Sequence, residues 1–235
     1  MNQAANGPKS WVLISGATSG FGEATALTLS ASGWNVLLAG RRQARLERVA
    51  EACRAAGAEA HIAIWDVRDR EATDKGVAQL MNAAGLGSGD ADRKLLALVN
   101  NAGLAVGKGP FDEGLDDDWS RMLDTNVKGL LFLARACVPY MYAGSRMVNM
   151  GSIAGKQVYT GGNVYCASKH AVDALSQAMR IDLVDRGIGV SQICPGAAET
   201  EFSMVRFKGD AQAAEAVYQG YDPLAAQDIA ESVEF

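Results

Sequence analysis

Tyr165 and Lys169 stand four residues apart in Asn163-Val164-Tyr165-Cys166-Ala167-Ser168-Lys169. On a helix that spacing puts both side chains on one face, one turn apart. A free tyrosine hydroxyl ionises near pH ~10, too high for proton transfer at neutral pH. An ammonium beside it favours the phenolate and lowers that value. The pair is a candidate proton donor and acceptor with its own electrostatic activator. The same pattern also describes an aromatic and a solvated lysine that merely share a helix. The setting favours chemistry. Gly151-Ser152-Ile153-Ala154-Gly155 lies just upstream and adds a hydroxyl, Ser152, and a glycine-rich loop lies near the N-terminus.

That loop reads Ser15-Gly16-Ala17-Thr18-Ser19-Gly20-Phe21-Gly22. An apolar run at residues 11–14 precedes it as a strand, and helix formers at residues 23–32 follow. Strand, glycine turn and helix make a dinucleotide-binding unit. Its glycines permit a tight turn, let backbone approach a phosphate, and let the helix pack close to the strand. The helix N-terminus offers N–H groups and a positive dipole end to the pyrophosphate. Gly16, Gly20 and Gly22 are spaced Gly-x-x-x-Gly-x-Gly rather than Gly-x-Gly-x-x-Gly, with Thr18, Ser19 and Phe21 between them. A second strand, residues 34–39, ends in Gly40-Arg41-Arg42. That is about 20 residues past the loop, where an NAD site carries an acid for the ribose 2′-hydroxyl. Two arginines stand there instead. Guanidinium forks suit a 2′-phosphate, so Arg41 and Arg42 point to NADP; the alternative is that they open a solvated helix.

The elements that must position these groups alternate along the chain. Strands are predicted at residues 60–65, 95–99, 146–150 and 188–194, and helices at residues 43–56, 69–84, 116–141 and 164–186. The predicted fold class is α/β, a doubly wound parallel sheet in one domain over residues 1–235. Ligands of such sheets bind beyond the strands' carboxyl ends. The polar features gather at those ends. Asp66-Val67 closes the third strand, where the acid either accepts from an adenine amino group or caps the next helix. Asn101, Ala102 and Gly103 follow the fourth, Ser152 the fifth, and Pro195-Gly196 the sixth. Asn126 lies inside a predicted helix among apolar neighbours, as a site residue or as a core asparagine with satisfied partners. Residues 85–92 read as an exposed, mobile loop. Residues 197–220, with weak periodicity, read as a substrate lid with short helices.

Composition sets the outer limits. The chain has 235 residues and 49% hydrophobic content, enough for one α/β domain with a real core. A net charge of −5 with no long basic run gives nucleic-acid binding no electrostatic support. No apolar run approaches the ~20 residues of a membrane span, and residues 1–9 are too polar and short for a signal peptide. Cys53, Cys137, Cys166 and Cys194 show no metal spacing and read as reduced and buried, in a cytoplasmic protein. His61 and His170 read as packing or surface residues.

Taken together, the chain resembles the short-chain dehydrogenases/reductases over nearly all its length. The matching motifs run in that family's order: Gly16, Gly20 and Gly22; Asp66-Val67; residues 100–103; Asn126; Ser152; Tyr165 and Lys169; Pro195-Gly196 with Thr200. A closer likeness, to NADP-dependent 3-hydroxy acid dehydrogenases of the serine/allo-threonine type, lies in Gly20-Phe21-Gly22-Glu23, Gly40-Arg41-Arg42-Gln43, Asp124-Thr125-Asn126, residues 161–165, Thr200-Glu201-Phe202-Ser203 and residues 205–210.

The resemblance implies a Rossmann-type sheet with helices on both faces, bound NADP(H), and hydride transfer between nicotinamide and a hydroxyl-bearing or carbonyl carbon. It makes Tyr165 the general acid/base. Lys169 lowers the tyrosine pKa and holds the nicotinamide ribose, Ser152 holds the substrate oxygen, and Asn126 holds a water that links Lys169 to solvent. A 3-hydroxy acid such as L-serine or L-allo-threonine brings a carboxylate. Arg206 and Lys208 are the candidate partners, against the reading of Arg206 as a surface arginine. A homotetramer paired through the two long helices is implied as well. In two places the chain departs from the pattern. The link at residues 142–145 looks short, and the chain ends at Phe235 where relatives add a seventh strand, so a truncated C-terminus is expected. Two other functions stay open: a broad NADPH-dependent ketone or diketone reductase, and an inactive NADP-binding regulatory protein, which the presence of Ser152, Tyr165 and Lys169 opposes.

Overall fold

Six apolar segments lie side by side in a computed structural model that describes residues 10–87, 95–220 and 222–235. They are β1 (Trp11–Ser15), β2 (Asn35–Gly40), β3 (Ala60–Ile64), β4 (Leu95–Asn100), β5 (Arg146–Met150) and β6 (Gly189–Ile193). Every pairing is parallel, in the order β3-β2-β1-β4-β5-β6. The chain starts at β1, runs outward to β3, then returns to the other side of β1 with β4. Loops after β1 and β4 therefore leave in opposite directions and open a crevice between them, where ligands of such sheets bind.

The helices are α1 (Gly20–Ala31), α2 (Gln43–Ala55), α3 (Arg70–Ala83), α4 (Asp116–Leu123), α5 (Leu130–Cys137), α6 (Asn163–Leu183), α7 (Glu201–Arg206), α8 (Ala211–Ala216) and α9 (Ala226–Glu234). Alternate strand residues face opposite ways, and both faces are covered, as a parallel sheet requires. Leu13, Leu37, Leu98 and Met147 pack with Val77, Leu80 and Met81 of α3, Leu133 and Cys137 of α5, and Leu183 of α6. Val12, Ile14, Val36 and Leu38 pack with Ala26 and Leu29 of α1 and Leu46, Val49 and Ala50 of α2. A third, smaller cluster joins Leu104, Val106, Met122, Ala154 and Tyr165 beyond the strand ends.

Several expectations are corrected. The helix predicted over residues 116–141 is broken by a wide π-type turn, Asp124–Gly129, and ends in a tight turn, Val138–Tyr140, which contains Pro139. The wide turn directs Asn126 inward onto the loop after β4, a use to which such turns are often put. Helix α6 stops at Leu183, and after one tight turn Gly187 takes the left-handed conformation (φ +67) that closes it. Helix α9 was not predicted; it buries Ile229 and Ala230 and packs against α1. Within the loop expected at residues 85–92, Leu86 is buried in the core, and residues 88–92 lie outside the described residues. The short link at residues 142–145 is a closed turn. Ser145 N–H donates to the Tyr142 carbonyl at 2.9 Å, and Ser145 Oγ donates to the Leu95 carbonyl at 2.9 Å.

Among the described residues, the four cysteines form no disulfide; three are buried and Cys194 is partly exposed. No helix among them is long and apolar enough to cross a membrane, and no three His, Cys, Asp or Glu side chains are grouped to hold a metal ion. His61 stacks on Trp11 with ring centroids 5.5 Å apart, and His170 Nδ1 lies 2.9 Å from the Cys166 carbonyl, in keeping with structural roles.

Candidate active site

A cleft of about 580 Å³ opens at the carboxyl ends of the strands. Its floor is the loop after β1. Gly16 (φ +68) and Gly20 (φ +54) adopt backbone that side chains rarely tolerate. A Cβ on Gly22 would sit 2.4 Å from the Gly16 carbonyl oxygen, and one on Gly16 would sit 2.9 Å from Asn101 Nδ2. The loop is pinned to the end of β4: Asn101 Nδ2 donates to the Ser15 carbonyl at 2.8 Å, and Ser15 Oγ accepts from the backbone of Asn101 and Ala102. Ser19, the N-cap of α1, makes no side-chain bond to that helix. A backbone-lined hollow before a helix start fits a phosphate group, so the residues present suit a dinucleotide.

The cationic wall comes from β2 and α2. Arg42 donates to Thr18 Oγ1 from Nε (3.1 Å) and Nη2 (2.7 Å), and to Ser19 Oγ at 2.7 Å. Its Nη1 donates to Glu201 at 2.9 Å, and Arg45 pairs with the other Glu201 oxygen. Those two guanidinium groups hold the Glu201 carboxyl down at about 2. Arg41 is mostly exposed, with Nη1 3.5 Å from Asp66. Arg45 and Glu201 were not foreseen as part of this wall. The available signal was that Arg45 falls in the first turn of the helix that Arg42 caps.

Of the two roles predicted for Asp66, the structure removes the helix cap. Helix α3 is capped by Asp69, whose carboxylate accepts from Ala72 N–H. The Asp66 carboxylate is gripped by Arg68, through its backbone N–H and through Nε and Nη2. Burial works to raise the Asp66 pKa, but those hydrogen bonds and the charges of Arg68 and Arg41 hold it below the usual carboxylate range. Val67 lies against Gly129, where a Cβ would come within 2.8 Å of it.

The centre of the cleft is built on α6. Tyr165 in its first turn and Lys169 one turn later both line the cleft, together with Ser152. Burial pushes the Tyr165 hydroxyl up to about 12, against a hydrogen bond with Ser152 and the charge of Arg206, which favour the phenolate. Lys169 Nζ donates to the Met150 carbonyl at 2.8 Å, and burial brings it down to about 8. Burial is thus the largest influence on Tyr165, and the opposing help comes from Ser152 and Arg206. Ser152 heads the tight turn Ile153–Gly155, and its Oγ accepts from Ala154 N–H at 3.1 Å. Gly155 lets that turn press on α6, because a Cβ there would lie 2.5 Å from the Lys169 carbonyl oxygen.

Asn126 is committed within the protein. Its Nδ2 donates to the Leu104 carbonyl (2.8 Å) and to Ser168 Oγ (3.0 Å), and its Oδ1 accepts Leu104 N–H at 2.8 Å. Both amide hydrogens are used within the protein, and Oδ1 keeps one acceptor position beyond its bond with Leu104. Ala102 and Gly103 line the cleft, as do Phe21, Pro195, Gly196 and Thr200. Pro195 accepts Ile153 N–H at 3.0 Å. Thr200 caps α7 by accepting Phe202 N–H at 3.2 Å, and it packs over Gly20.

Helix α7 brings Arg206 across the cleft. Nη1 donates to Tyr159 Oη at 2.7 Å, and the guanidinium carbon lies 5.2 Å from the Tyr159 ring centre and 5.5 Å from that of Tyr165. Nε and Nη2 are buried and have no hydrogen-bond partner among the described residues. Such donors are costly to bury unless an acceptor arrives. Lys208 does not share this position. It pairs with Asp118 at 2.7 Å and lines a separate, smaller cavity, which removes it as a partner for a substrate in the cleft. Tyr159 was missed in the sequence, although it sits between Ser152 and Tyr165 and is aromatic.

Comparison with known proteins is consistent with this geometry. The family profile described as short chain dehydrogenase matches residues 10–211. Sulfoacetaldehyde reductase 2 of Chromohalobacter salexigens is 41% identical over 94% of this chain and 86% of its own length. The NADP-dependent 3-hydroxy acid dehydrogenase of Escherichia coli is also 41% identical, over 94% and 86% respectively. A solved closed form of serine dehydrogenase complexed with NADP+ superposes with a TM-score of 0.85, at 40% identity, covering 95% of this chain and 87% of that one.

Proposed function

Because this chain belongs to the short-chain dehydrogenase family, we propose that it interconverts a short hydroxy acid and its oxo form, with Tyr165 moving the proton and Arg206 holding the acid group. The protein is an oxidoreductase acting on CH–OH groups, with NADP(H) as its cofactor. Residues Gly16, Thr18, Ser19, Gly20, Phe21 and Gly22 would hold the pyrophosphate, and Arg41 and Arg42 the 2′-phosphate. Asp66, Val67 and residues 101–103 would flank the adenosine, with Lys169, Pro195, Gly196 and Thr200 at the nicotinamide end. When bound, NADP(H) supplies or accepts the hydride.

The chain's own residues do the rest. On reduction, Tyr165 Oη gives its proton to the substrate oxygen; on oxidation, it takes that proton back. Ser152 Oγ holds the same oxygen and stabilises the charge that develops on it. Arg206 favours the phenolate through its charge, and burial of the site keeps these interactions out of high-dielectric water.

The observation that carries the substrate class is Arg206, with two buried nitrogens free of hydrogen bonds beside Tyr165. Guanidinium forks bind carboxylates in this way. Relatives named for 3-hydroxy acids and serine support a carboxylate. A second reading, a sulfonate in the same place, is favoured by the 41% identical sulfoacetaldehyde reductases. The test is Arg206→Ala. Losing a hydrogen-bonded charge pair of about 1.5–3 kcal/mol predicts a KM for L-serine, L-allo-threonine or a short sulfonate about 10–150-fold higher. The KM for a neutral secondary alcohol should change little, while any fall in kcat from losing the Arg206 charge beside Tyr165 should be shared by both substrates. An equal rise in KM on both substrates would return the protein to the broad carbonyl-reductase reading.

A further inference from the structure

We propose that Glu201 and Arg45 set the strength of cofactor selection, with the Glu201 carboxylate occupying guanidinium donors that a 2′-phosphate needs. This rests on the reading of Arg41 and Arg42 as the 2′-phosphate site. Arg42 is spoken for: Nε and Nη2 are spent on Thr18 and Ser19, and Nη1 on Glu201. Arg45 Nη1 is spent on the second Glu201 oxygen. The two arginines thus clasp one carboxylate from both sides, in a geometry that suits a phosphate equally well. Glu201 lies on the lid side of the cleft, as the first residue of α7, while Arg42 is the N-cap of α2 and Arg45 lies in its first turn. The acid is therefore brought to the cationic wall from a separate element.

A 2′-phosphate placed at this wall meets two effects. It must share or displace Glu201 from Arg42 and Arg45, and it must lie near a carboxylate that stays ionised across the neutral range. Both weaken binding of the phosphorylated cofactor and leave the unphosphorylated one untouched. Removing the negative charge frees one guanidinium nitrogen on each arginine, Nη1 of Arg42 and Nη1 of Arg45. Both ion pairs are about half exposed, and pairs of that kind amount to no more than about fivefold each in an equilibrium constant. The expected gain is therefore modest, about three- to tenfold. Arg45 has the opposite role. It becomes a third phosphate cation once Glu201 yields, beyond the two that the sequence marks.

The experiment is calorimetric titration of the full chain with 2′,5′-ADP and with 5′-AMP, which differ only in the 2′-phosphate, for the native protein, Glu201→Gln and Arg45→Gln. The native protein is expected to prefer 2′,5′-ADP. Glu201→Gln should bind 2′,5′-ADP about three- to tenfold more tightly and 5′-AMP as before. Arg45→Gln should lose affinity for 2′,5′-ADP alone. In the double variant, the gain from Glu201→Gln should shrink, because one of the two freed donors is gone. If Glu201→Gln weakens 2′,5′-ADP, leaves it unchanged, or shifts both ligands equally, the proposal is overturned while the phosphate site stands. If the native protein shows no preference for 2′,5′-ADP, the phosphate site itself is wrong and the proposal falls with it.

Discussion

Burial dominates the chemistry of single residues in this cleft. Tyr165 ionises near 12 because it is shut away from water, and Lys169 near 8 for the same reason. Tyr165→Phe removes the hydroxyl that we propose exchanges a proton with the substrate, so kcat should fall by about 10²–10⁴-fold. NADP+ affinity by titration should hold; undiminished turnover would remove Tyr165 from the mechanism.

Lys169 makes a separate prediction about stability. Its ordinary value is 10.5, and the folded protein brings it to about 8. Between those values the unfolded chain keeps a proton that the folded protein has shed, so folding gains stability as pH rises from ~8 to ~10.5. Below ~8 the buried ammonium carries its full desolvation cost. Lys169→Met lacks that cost. Its melting temperature relative to the native protein should be most favourable near pH 7 and should decline by pH 9.5. That window stops short of the range, 10 to 12, where Tyr165 adds an effect of opposite sign. Thermal unfolding at the two pH values decides it; a constant difference would mean that Lys169 titrates as an exposed lysine.

Among the secondary-structure elements, α7 and α9 do work that their lengths do not suggest. Six residues of α7 carry Glu201 at one end and Arg206 at the other, so one short helix spans the cleft from the arginine wall to the proposed acid-group site. At ~1.5 Å per residue the two positions are about 7.5 Å apart along its axis. Helix α9 closes the face over α1 by burying Ile229 and Ala230. Ile229→Ala should cost about 2–5 kcal/mol of unfolding free energy, read by denaturant titration. Because α9 lies behind α1 and away from the cleft, kcat should be unchanged in the folded fraction.

For the molecule as a whole, the family resemblance makes association an expectation to be tested. We propose that copies of this chain pair through α4–α5 and α6, the two long helices that the resemblance singles out. Here Ile181 and Val184, at the far end of α6, are 73% and 64% exposed, apolar surface that a partner would cover. A homotetramer is the expected result of light scattering. Ile181→Asp should shift the mass toward smaller species, and a monomeric native protein would contradict the expectation.

The alternation of apolar runs and helix formers was enough to determine the sheet, its parallel sense and the strand ends at which polar residues gather. Those features depend on local patterning with periods of two and 3.6, which a linear chain displays directly. Gly16, Gly20 and Gly22, the paired Arg41 and Arg42, and the Tyr165–Lys169 spacing were legible for the same reason: each is a short-range pattern with one backbone consequence. Tertiary structure decided what depends on contacts between distant segments. The inward turn at Asn126 needs Leu104 and Ser168 as partners. Lys208 and Arg206 look alike in the sequence, yet Asp118 draws one out of the cleft while Tyr159 holds the other in it. Arg45 and Glu201 meet across 156 positions. The tyrosine and lysine pKa values come from burial by several elements together, and no spacing along the chain records how much water the folded protein excludes.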